Sequence, residues 1–386
     1  MRLLHTADLH IGKIVNDFSM LEDQKFILEQ IKNMAIEKKA DGVLLAGDIY
    51  DRAIPAGEAV LVFDSFLTGL VEAGIQVYYI SGNHDSAERL SFGEELFAGR
   101  GVGIGGVYKG ELPVFCYEEK WGCTEIVLLP FIKPAQVNAS SSGEAVEKLL
   151  CDYREKEKMK EVGEQSGHAK TKKRRVLVTH YFVTDAGREP ELSDSETTVH
   201  IGGLDQVEAS LFEGFDYVAL GHIHKTQQIG ERPVWYAGSP LKYSFGEVNQ
   251  TKHVLFLEIG EAGLRSVEKC PLRPIREMRK VKGQLSEIME SAALEGKERE
   301  DYMQAVLTDE DELIDPMGTL RSVYPNMMQI VKAQKQEKQE ENAPGVIVRE
   351  KDPLTLFFGF YQLVKDEELG EEEKNIMLDI IKQTEG

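Results

Sequence analysis

A chain of 386 residues with 42% hydrophobic side chains is longer than one hydrophobic core usually serves, so two or more domains are expected. Forty-five basic against 66 acidic residues give a formal charge of −21, which argues against a broad cationic footprint on nucleic acid and confines polyanion contacts to local patches. Cys116, Cys123, Cys151 and Cys270 lack Cys-x-x-Cys spacing, and no apolar stretch approaches the roughly 18 residues of a membrane span. A cytoplasmic protein with reduced thiols and no membrane association is expected.

In chain order, the first strand begins at Arg2 with no apolar leader ahead of it and runs into Asp8-Leu9-His10. A helix is expected over about residues 22–39, with Ile27, Ile31, Met34 and Ala35 on one face. A strand over 43–46 leads into Gly47-Asp48-Ile49-Tyr50-Asp51, and Pro55 opens a second helix carrying Val60, Phe63, Phe66, Leu67 and Leu70. The strand over 76–80 leads into Gly82-Asn83-His84-Asp85, and Ser86 starts a third helix with Leu90, Leu96 and Phe97. Residues 139–172 turn serine-rich and then highly charged, with one helix over about 144–159, and read as an insertion. Strands resume at Val176, ending on His180, then at Asp216, ending on Gly221-His222-Ile223-His224, and at Val234 and Val254. The first domain is expected to span 1–269.

Residues 270–332 read as a small α/β domain, with strands over 302–307 and 327–331 around a helix containing Met317, Leu320 and Val323. Residues 333–345 are a polar linker. Residues 346–386 regain helical periodicity behind Asp352 as N-cap and Pro353 at the first helical position. Leu354, Phe357, Phe358 and Tyr361 form one stripe there, Leu356, Phe360 and Leu363 a second, and Ile376, Met377, Ile380 and Ile381 a third on a following helix. That is more apolar surface than one docked helix needs.

The segments at 8–10, 47–51, 82–85, 180 and 221–224 each deliver a metal-ligand type to the end of an apolar run. Open α/β sheets gather their ligand sites outside the carboxyl ends of the strands. Asp, His and Asn together suit manganese, iron or zinc rather than calcium, and a carboxylate can bridge two ions about 3.5–4 Å apart for in-line phosphoester cleavage. Singly, Asp48, Asp51 or Asn83 could each be an ordinary turn residue. Five such segments, each behind a β-like stretch, point instead to a dinuclear metallophosphoesterase. His5 and His253 lie within apolar runs and His168 in a polar segment, so they read as ordinary; His200 is undecided. Lys13, Arg52, Arg89 and Lys225 flank the metal segments as candidate basic contacts, whereas the run 170–175 reads as a solvated loop rather than a DNA contact.

These segments, with Tyr236-Ala237-Gly238-Ser239-Pro240-Leu241-Lys242-Tyr243-Ser244-Phe245 after them, resemble the SbcD nucleases over nearly the whole chain. Those are the bacterial branch of the double-strand-break repair nucleases among the calcineurin-like metallophosphoesterases. Residues 301–311 and 320–326 are similar to that family's capping domain. The resemblance implies an α/β fold: a β-sandwich flanked by helices, a small α/β cap and a C-terminal helical segment that binds a partner ATPase. It implies one metal on Asp8, His10, Asp48 and His224 and a second on Asp48, Asn83, His180 and His222, with Asp48 bridging. Mn2+ is the expected ion and Mg2+ the alternative. His84 would contact the phosphate and protonate the leaving sugar oxygen, with Asp85 orienting its imidazole; Asp51 has no ligand slot, and its role is open.

The implied activity is metal-dependent hydrolysis of DNA phosphodiesters at ends and hairpins in repair, recombination and replication. It combines a double-strand exonuclease, ATP-dependent with its partner, and a single-strand endonuclease. The sequence has no Gly-x-x-x-x-Gly-Lys-Ser/Thr segment, so ATP would be handled by a separate polypeptide, the family's SbcC-type coiled-coil ATPase. Helices bearing Phe63, Phe66, Phe92 and Phe97 would pair two copies as a homodimer within a heterotetramer. A protein or small-molecule metallophosphatase is the competing enzyme reading, because the segment 47–52 also resembles protein phosphatases. Those enzymes usually carry Glu where Asp85 stands, and the cap and tail would then lack a purpose. A non-catalytic DNA-end tether predicts a broken ligand set, and no ligand is missing.

Overall fold

The computed structural model describes residues 1–163, 172–193, 205–292 and 296–333, together with Lys374. Two six-stranded mixed sheets face each other. The first runs in the order Gly263–Pro271, His253–Gly260, Arg2–Thr6, Gly42–Leu45, Gln76–Ile80, Val102–Gly105, its last four strands parallel. The second runs Gln227–Gln228, Val234–Tyr236, Tyr217–Gly221, Lys172–His180, Gly122–Leu129, Val114–Glu119, with antiparallel pairing only at its edges. Leu3, Leu44, Tyr78 and Ile80 from the first meet Ile126, Leu128, Val176, Val178 and Ala219 from the second in the core between them.

Helices Leu21–Glu37 and Gly57–Glu72 cover the outer face of the first sheet, and helix Ser142–Gly163 covers that of the second. Strands buried on both faces read as unbroken apolar runs rather than alternating ones, which is why the segments 42–45 and 217–220 were so visible in sequence. Among the described residues, no helix is long and apolar enough to cross a membrane.

Several expectations shift. The third helix is two short ones, Ala87–Leu90 and Glu94–Ala98, because Gly93 between them takes φ +76°. Within the segment expected as an insertion, Ala145, Val146, Leu149, Leu150 and Tyr153 are buried in the second sheet's core, so this helix is part of the sandwich packing; residues 164–171 lie outside the described residues. The solvated loop expected over 170–175 is a strand from Lys172 onward. Lys173 Nζ lies 2.8 Å from Glu125, Arg175 Nε 3.1 Å from Glu125, and Arg174 Nη1 3.1 Å from Asp216. These cations are balanced by the protein's own carboxylates, distant in sequence, rather than presented to a polyanion.

Beyond the sandwich, strands Met278–Gly283, Tyr302–Leu307 and Met327–Lys332 form a parallel sheet, with helices Leu285–Ala292 and Pro316–Arg321 in the crossovers. Ile288, Met303, Ala305, Leu320, Tyr324 and Met327 give it a core of its own. Val323, expected in the second helix, lies just past its end. Met278, Tyr302 and Met328 join the main core. At that junction the buried Asp23 accepts from the Tyr302 hydroxyl and from Arg276 Nη1, each at 2.7 Å. The expected linker and terminal helices lie outside the described residues, apart from Lys374.

Candidate metal centre

The carboxyl ends of strands from both sheets converge on one place. Asp8 and His10 follow Arg2–Thr6, Asp48 follows Gly42–Leu45, and Asn83 and His84 follow Gln76–Ile80. His180 ends Lys172–His180, and His222 and His224 follow Tyr217–Gly221. Asp8, His10, Asp48 and His222 adopt positive φ of 53°, 44°, 49° and 100°, conformations that cost non-glycine residues on the order of 1–3 kcal/mol each and that cluster at functional sites.

A web of hydrogen bonds over-determines these turns. Asp8 N donates to Gly47 O (3.1 Å), His10 N to Asp48 O (3.0 Å), His222 N to Asp8 Oδ1 (2.9 Å) and His84 N to Asp48 Oδ1 (2.9 Å). A Cβ on Gly82 would collide with the Asp48 carboxylate, so that close approach requires glycine.

Ligand atoms of Asp8, His10 and His224 lie within 4.8 Å of one another, as do those of Asp8, Asp48 and His180. Asn83 Oδ1 sits 3.0 Å from His180 Nε2 and 3.1 Å from His222 Nδ1. Asp48 Oδ2 lies 3.4 Å from His180 Nε2 and 3.7 Å from His10 Nε2. The carboxylate of Asp48 thus stands between two groups of donors, with His10 and His224 on one side and Asn83, His180 and His222 on the other.

The donor chemistry fits divalent cations. His180 Nδ1 donates to Ala46 O at 2.8 Å, so in a neutral ring Nε2 is a lone pair. That lone pair faces two further acceptors, Asn83 Oδ1 and Asp48 Oδ2. Acceptors aimed at each other in a buried pocket require a cation or an added proton between them. Burial opposes the proton, yet Asp48 pushes the His180 pKa up to about 9, the position a cation would otherwise fill.

Burial would raise the Asp48 carboxyl, but His180, His10 and His84 hold it well below the usual carboxylate range. Asp8 is pushed up to about 6 by burial, and its Oδ2 has no hydrogen-bond partner. Burial likewise lowers His10. Buried O and N donors around a shared carboxylate suit transition-metal dications or Mg2+.

His84 is 44% exposed at the mouth, its Nε2 4.0 Å from Asp48 Oδ2 and its ring edge-on to His10. The expected support from Asp85 is not made. Asp85 accepts from Ile49 N (3.1 Å), Tyr50 N (2.9 Å) and Gly82 N (2.9 Å), because the N–H groups of two converging loops need an acceptor there. It therefore ties the Asp48 and Asn83 loops together. The His84 imidazole is oriented instead by Asp51, whose carbonyl faces Nδ1 at 3.0 Å. The Asp51 side chain binds Lys13 Nζ at 2.7 Å and lies 3.7 Å from His10 Nδ1, which gives the residue with no ligand slot a supporting place.

Sequence reasoning passed over Gln24, buried on the first helix, whose Nε2 donates to His10 O at 2.7 Å and Leu9 O at 3.2 Å. It also passed over Glu247 and Lys252, just beyond the quoted segment that contains Tyr243. The available signal was that segment itself, which carried no assigned role. Of the other histidines, His5 is buried against Tyr217, His253 is half-buried on its strand, and His168 and His200 lie outside the described residues.

A calcineurin-like phosphoesterase family model matches residues 1–226, and the model for the type 5 capsule protein repressor C-terminal domain, SbcD_C, matches residues 274–365. The SbcD subunit of the SbcCD nuclease of Staphylococcus epidermidis is 31% identical over 373 residues, covering 96% of this chain and 95% of that protein. The chain belongs to the SbcD family of calcineurin-like phosphoesterases. Its chemistry is accordingly metal-dependent phosphoester hydrolysis, on the sandwich described above. Two solved structures overlap it more loosely, each with a TM-score of 0.40: TT1561 of Thermus thermophilus, 16% identical over 70% of this chain and 99% of that one, and a dimetal phosphatase from Danio rerio, 10% identical over 71% and 99%.

Proposed function

We propose that this SbcD-family chain is the nuclease subunit of a DNA-end-processing complex in the cytoplasm, using two divalent cations, Mn2+ foremost and Mg2+ as the alternative. The observation that carries the reading is the gathering of buried Asp8, His10, Asp48, His180 and His224 into groups whose ligand atoms lie within 4.8 Å of one another, with Asn83 and His222 beside His180. One cation is assigned to Asp8, His10, Asp48 and His224, and the other to Asp48, Asn83, His180 and His222. When bound, such ions polarise the phosphate and make hydroxide available near neutral pH. His84 supplies the acid: its imidazolium keeps Nδ1–H on Asp51 O and gives the Nε2 proton to the leaving sugar oxygen. Asp85 acts through the backbone, holding the two loops in register.

The DNA activities follow the family: exonuclease on duplex ends with an ATPase partner, and endonuclease on single strands and hairpins. The Staphylococcus relative is named as part of SbcCD, which supports an SbcC-type coiled-coil ATPase as the partner here. The SbcD_C match reaching residue 365 supports assigning 270–332 as cap, 333–345 as linker and 346–386 as the partner-binding segment, after a nuclease domain over 1–269. Of the residues expected to pair two copies, Phe63 and Phe66 are buried in the chain's own core and Phe97 packs against it, whereas Phe92 is 84% exposed, with Ile54, Leu61 and Leu96 at 73%, 68% and 79%. Exposed apolar side chains of that size support pairing of two copies.

The deciding assay compares linear duplex and single-stranded DNA with a chromogenic phosphate monoester, Mn2+ supplied to the purified chain. Cleavage of DNA supports the reading; hydrolysis of the monoester alone would move the protein to the phosphatases.

A further inference from the structure

The segment 239–252 lies beneath Asp8, His10 and His224 and has no part in the chemistry above. Tyr243 is buried, its hydroxyl donating to Leu9 O at 2.5 Å and lying 3.0 Å from Gln24 Nε2. Its ring stands edge-on to two of the ligand imidazoles, His10 at 5.7 Å and 89° and His224 at 6.0 Å and 72°. Glu247 is 0% exposed and places Oε1 3.8 Å from His224 Nδ1, while Tyr243 N (3.3 Å) and Ser244 Oγ (3.2 Å) donate to that same oxygen. Lys252, 5% exposed, bonds Glu247 Oε2 at 2.5 Å, His224 O at 2.9 Å, Ser239 Oγ at 3.0 Å and Gln250 Oε1 at 3.2 Å.

A buried ion pair is a poor means to stability, since apolar residues of similar volume usually do as well or better. This one reaches a single ligand from two directions, Glu247 at the ring and Lys252 at the carbonyl. A carboxylate 3.8 Å from Nδ1 favours the tautomer that carries its proton there, which leaves the Nε2 lone pair for a cation. The Tyr243 ring packs edge-on against both imidazoles. His180, on the other side of Asp48, has its Nδ1 held by the backbone at Ala46, so the two sides are supported by different means.

We propose that Tyr243, Glu247 and Lys252 form a positioning clamp for His10 and His224, so that the affinity of the cation shared with Asp8 depends on them while that of its neighbour does not. The inference rests on the ligand assignment above.

The test is manganese titration of the full chain by calorimetry, with electron paramagnetic resonance to detect an exchange-coupled ion pair and thermal melting to follow folding. Glu247→Gln and Tyr243→Leu are expected to weaken one of two binding steps by about 10–100-fold, the usual effect of losing an outer partner of a metal ligand, and to leave the other at its wild-type affinity. Glu247→Gln/Lys252→Met removes the charge that the single change strands. Recovered melting with the one step still weak supports the clamp, and this double variant decides if Glu247→Gln does not fold. Recovery of melting and affinity together, equal weakening of both steps, or wild-type titration in all variants overturns it. Asn83→Ala, on the other side of Asp48, is expected to weaken the complementary step. If it weakens the same step as Glu247→Gln, the ligand assignment fails, and the clamp falls with it.

Discussion

His84→Gln separates metal binding from proton delivery. The side chain is 44% exposed, and its hydrogen bond is to Asp51 O at 3.0 Å, so its loss should cost less than about 1 kcal/mol of folding stability. Both proposed ligand sets are complete without it, and manganese stoichiometry should stay at the wild-type value. Cleavage should fall ~10²–10⁴-fold, the usual range for a lost general acid and equivalent to roughly 3–5 kcal/mol in the barrier. Single-turnover cleavage of labelled single-stranded DNA, elemental analysis of bound manganese and a thermal melt provide the three readings.

A substrate whose leaving group is a nitrophenolate needs no proton, so the variant should recover on it. Asp48→Ala, which strikes the carboxylate between both donor groups, should instead lose metal and activity together on every substrate. If His84→Gln loses manganese in step with activity, or cleaves DNA at the wild-type rate, the acid assignment is wrong.

Self-association is checked by light scattering at micromolar concentration: a dimeric mass is expected, and Leu61→Glu with Phe92→Glu should give a monomer. A strictly monomeric wild type would refute the pairing. Deleting 346–386 should abolish co-purification with the ATPase and ATP-stimulated attack on duplex ends, yet leave manganese-dependent single-strand cleavage intact; a truncated chain that still pulls down the ATPase places the interface elsewhere. His5, 0% exposed with Nδ1 3.0 Å from the Tyr217 hydroxyl, is lowered by burial to about 3. Folded His5 is therefore neutral, and its contribution is fully present above the unfolded value near 6.5 and lost as pH falls from there toward 3. At pH 5 the loss is ~2 kcal/mol. Wild-type stability should drop more steeply than that of His5→Gln between pH 7 and 5, and parallel curves would contradict the burial argument.

The metal segments were legible because a strand buried on both faces gives a continuous apolar run, and a ligand residue directly after it marks the strand's carboxyl end. Strand Tyr302–Leu307 was legible for the same reason, with five of its six residues apolar and only Gln304 polar. Strands Val114–Glu119 and Met278–Gly283 were not: the first is nowhere fully buried and ends in Glu118-Glu119, three of the six residues of the second are Arg or Lys, and their partners hold both extended. The strand through Lys173 and Arg175 was misread because their partners Glu125 and Glu157 are far off in the chain, and a basic run whose counter-ions are unseen looks like a loop.

The Asp85 misassignment shows the limit of reading chemistry from adjacency. Next to His84 in sequence, a carboxylate suggests a proton-transfer dyad. In the fold, three N–H groups from two loops converge on it, and a buried donor left without an acceptor costs about 1–3 kcal/mol. That demand outweighs orienting a half-exposed imidazole, which a free carbonyl at Asp51 already does. The same reasoning explains the strained backbone at Asp8, His10, Asp48 and His222. The turns at Asp8, His10 and His222 each send their N–H to a neighbouring loop, and Asp48 accepts from His10 N and His84 N, so moving one candidate ligand requires breaking a hydrogen bond held by another. A site built this way is rigid before any cation arrives, and it should discriminate among ions by donor geometry more than by adjustment.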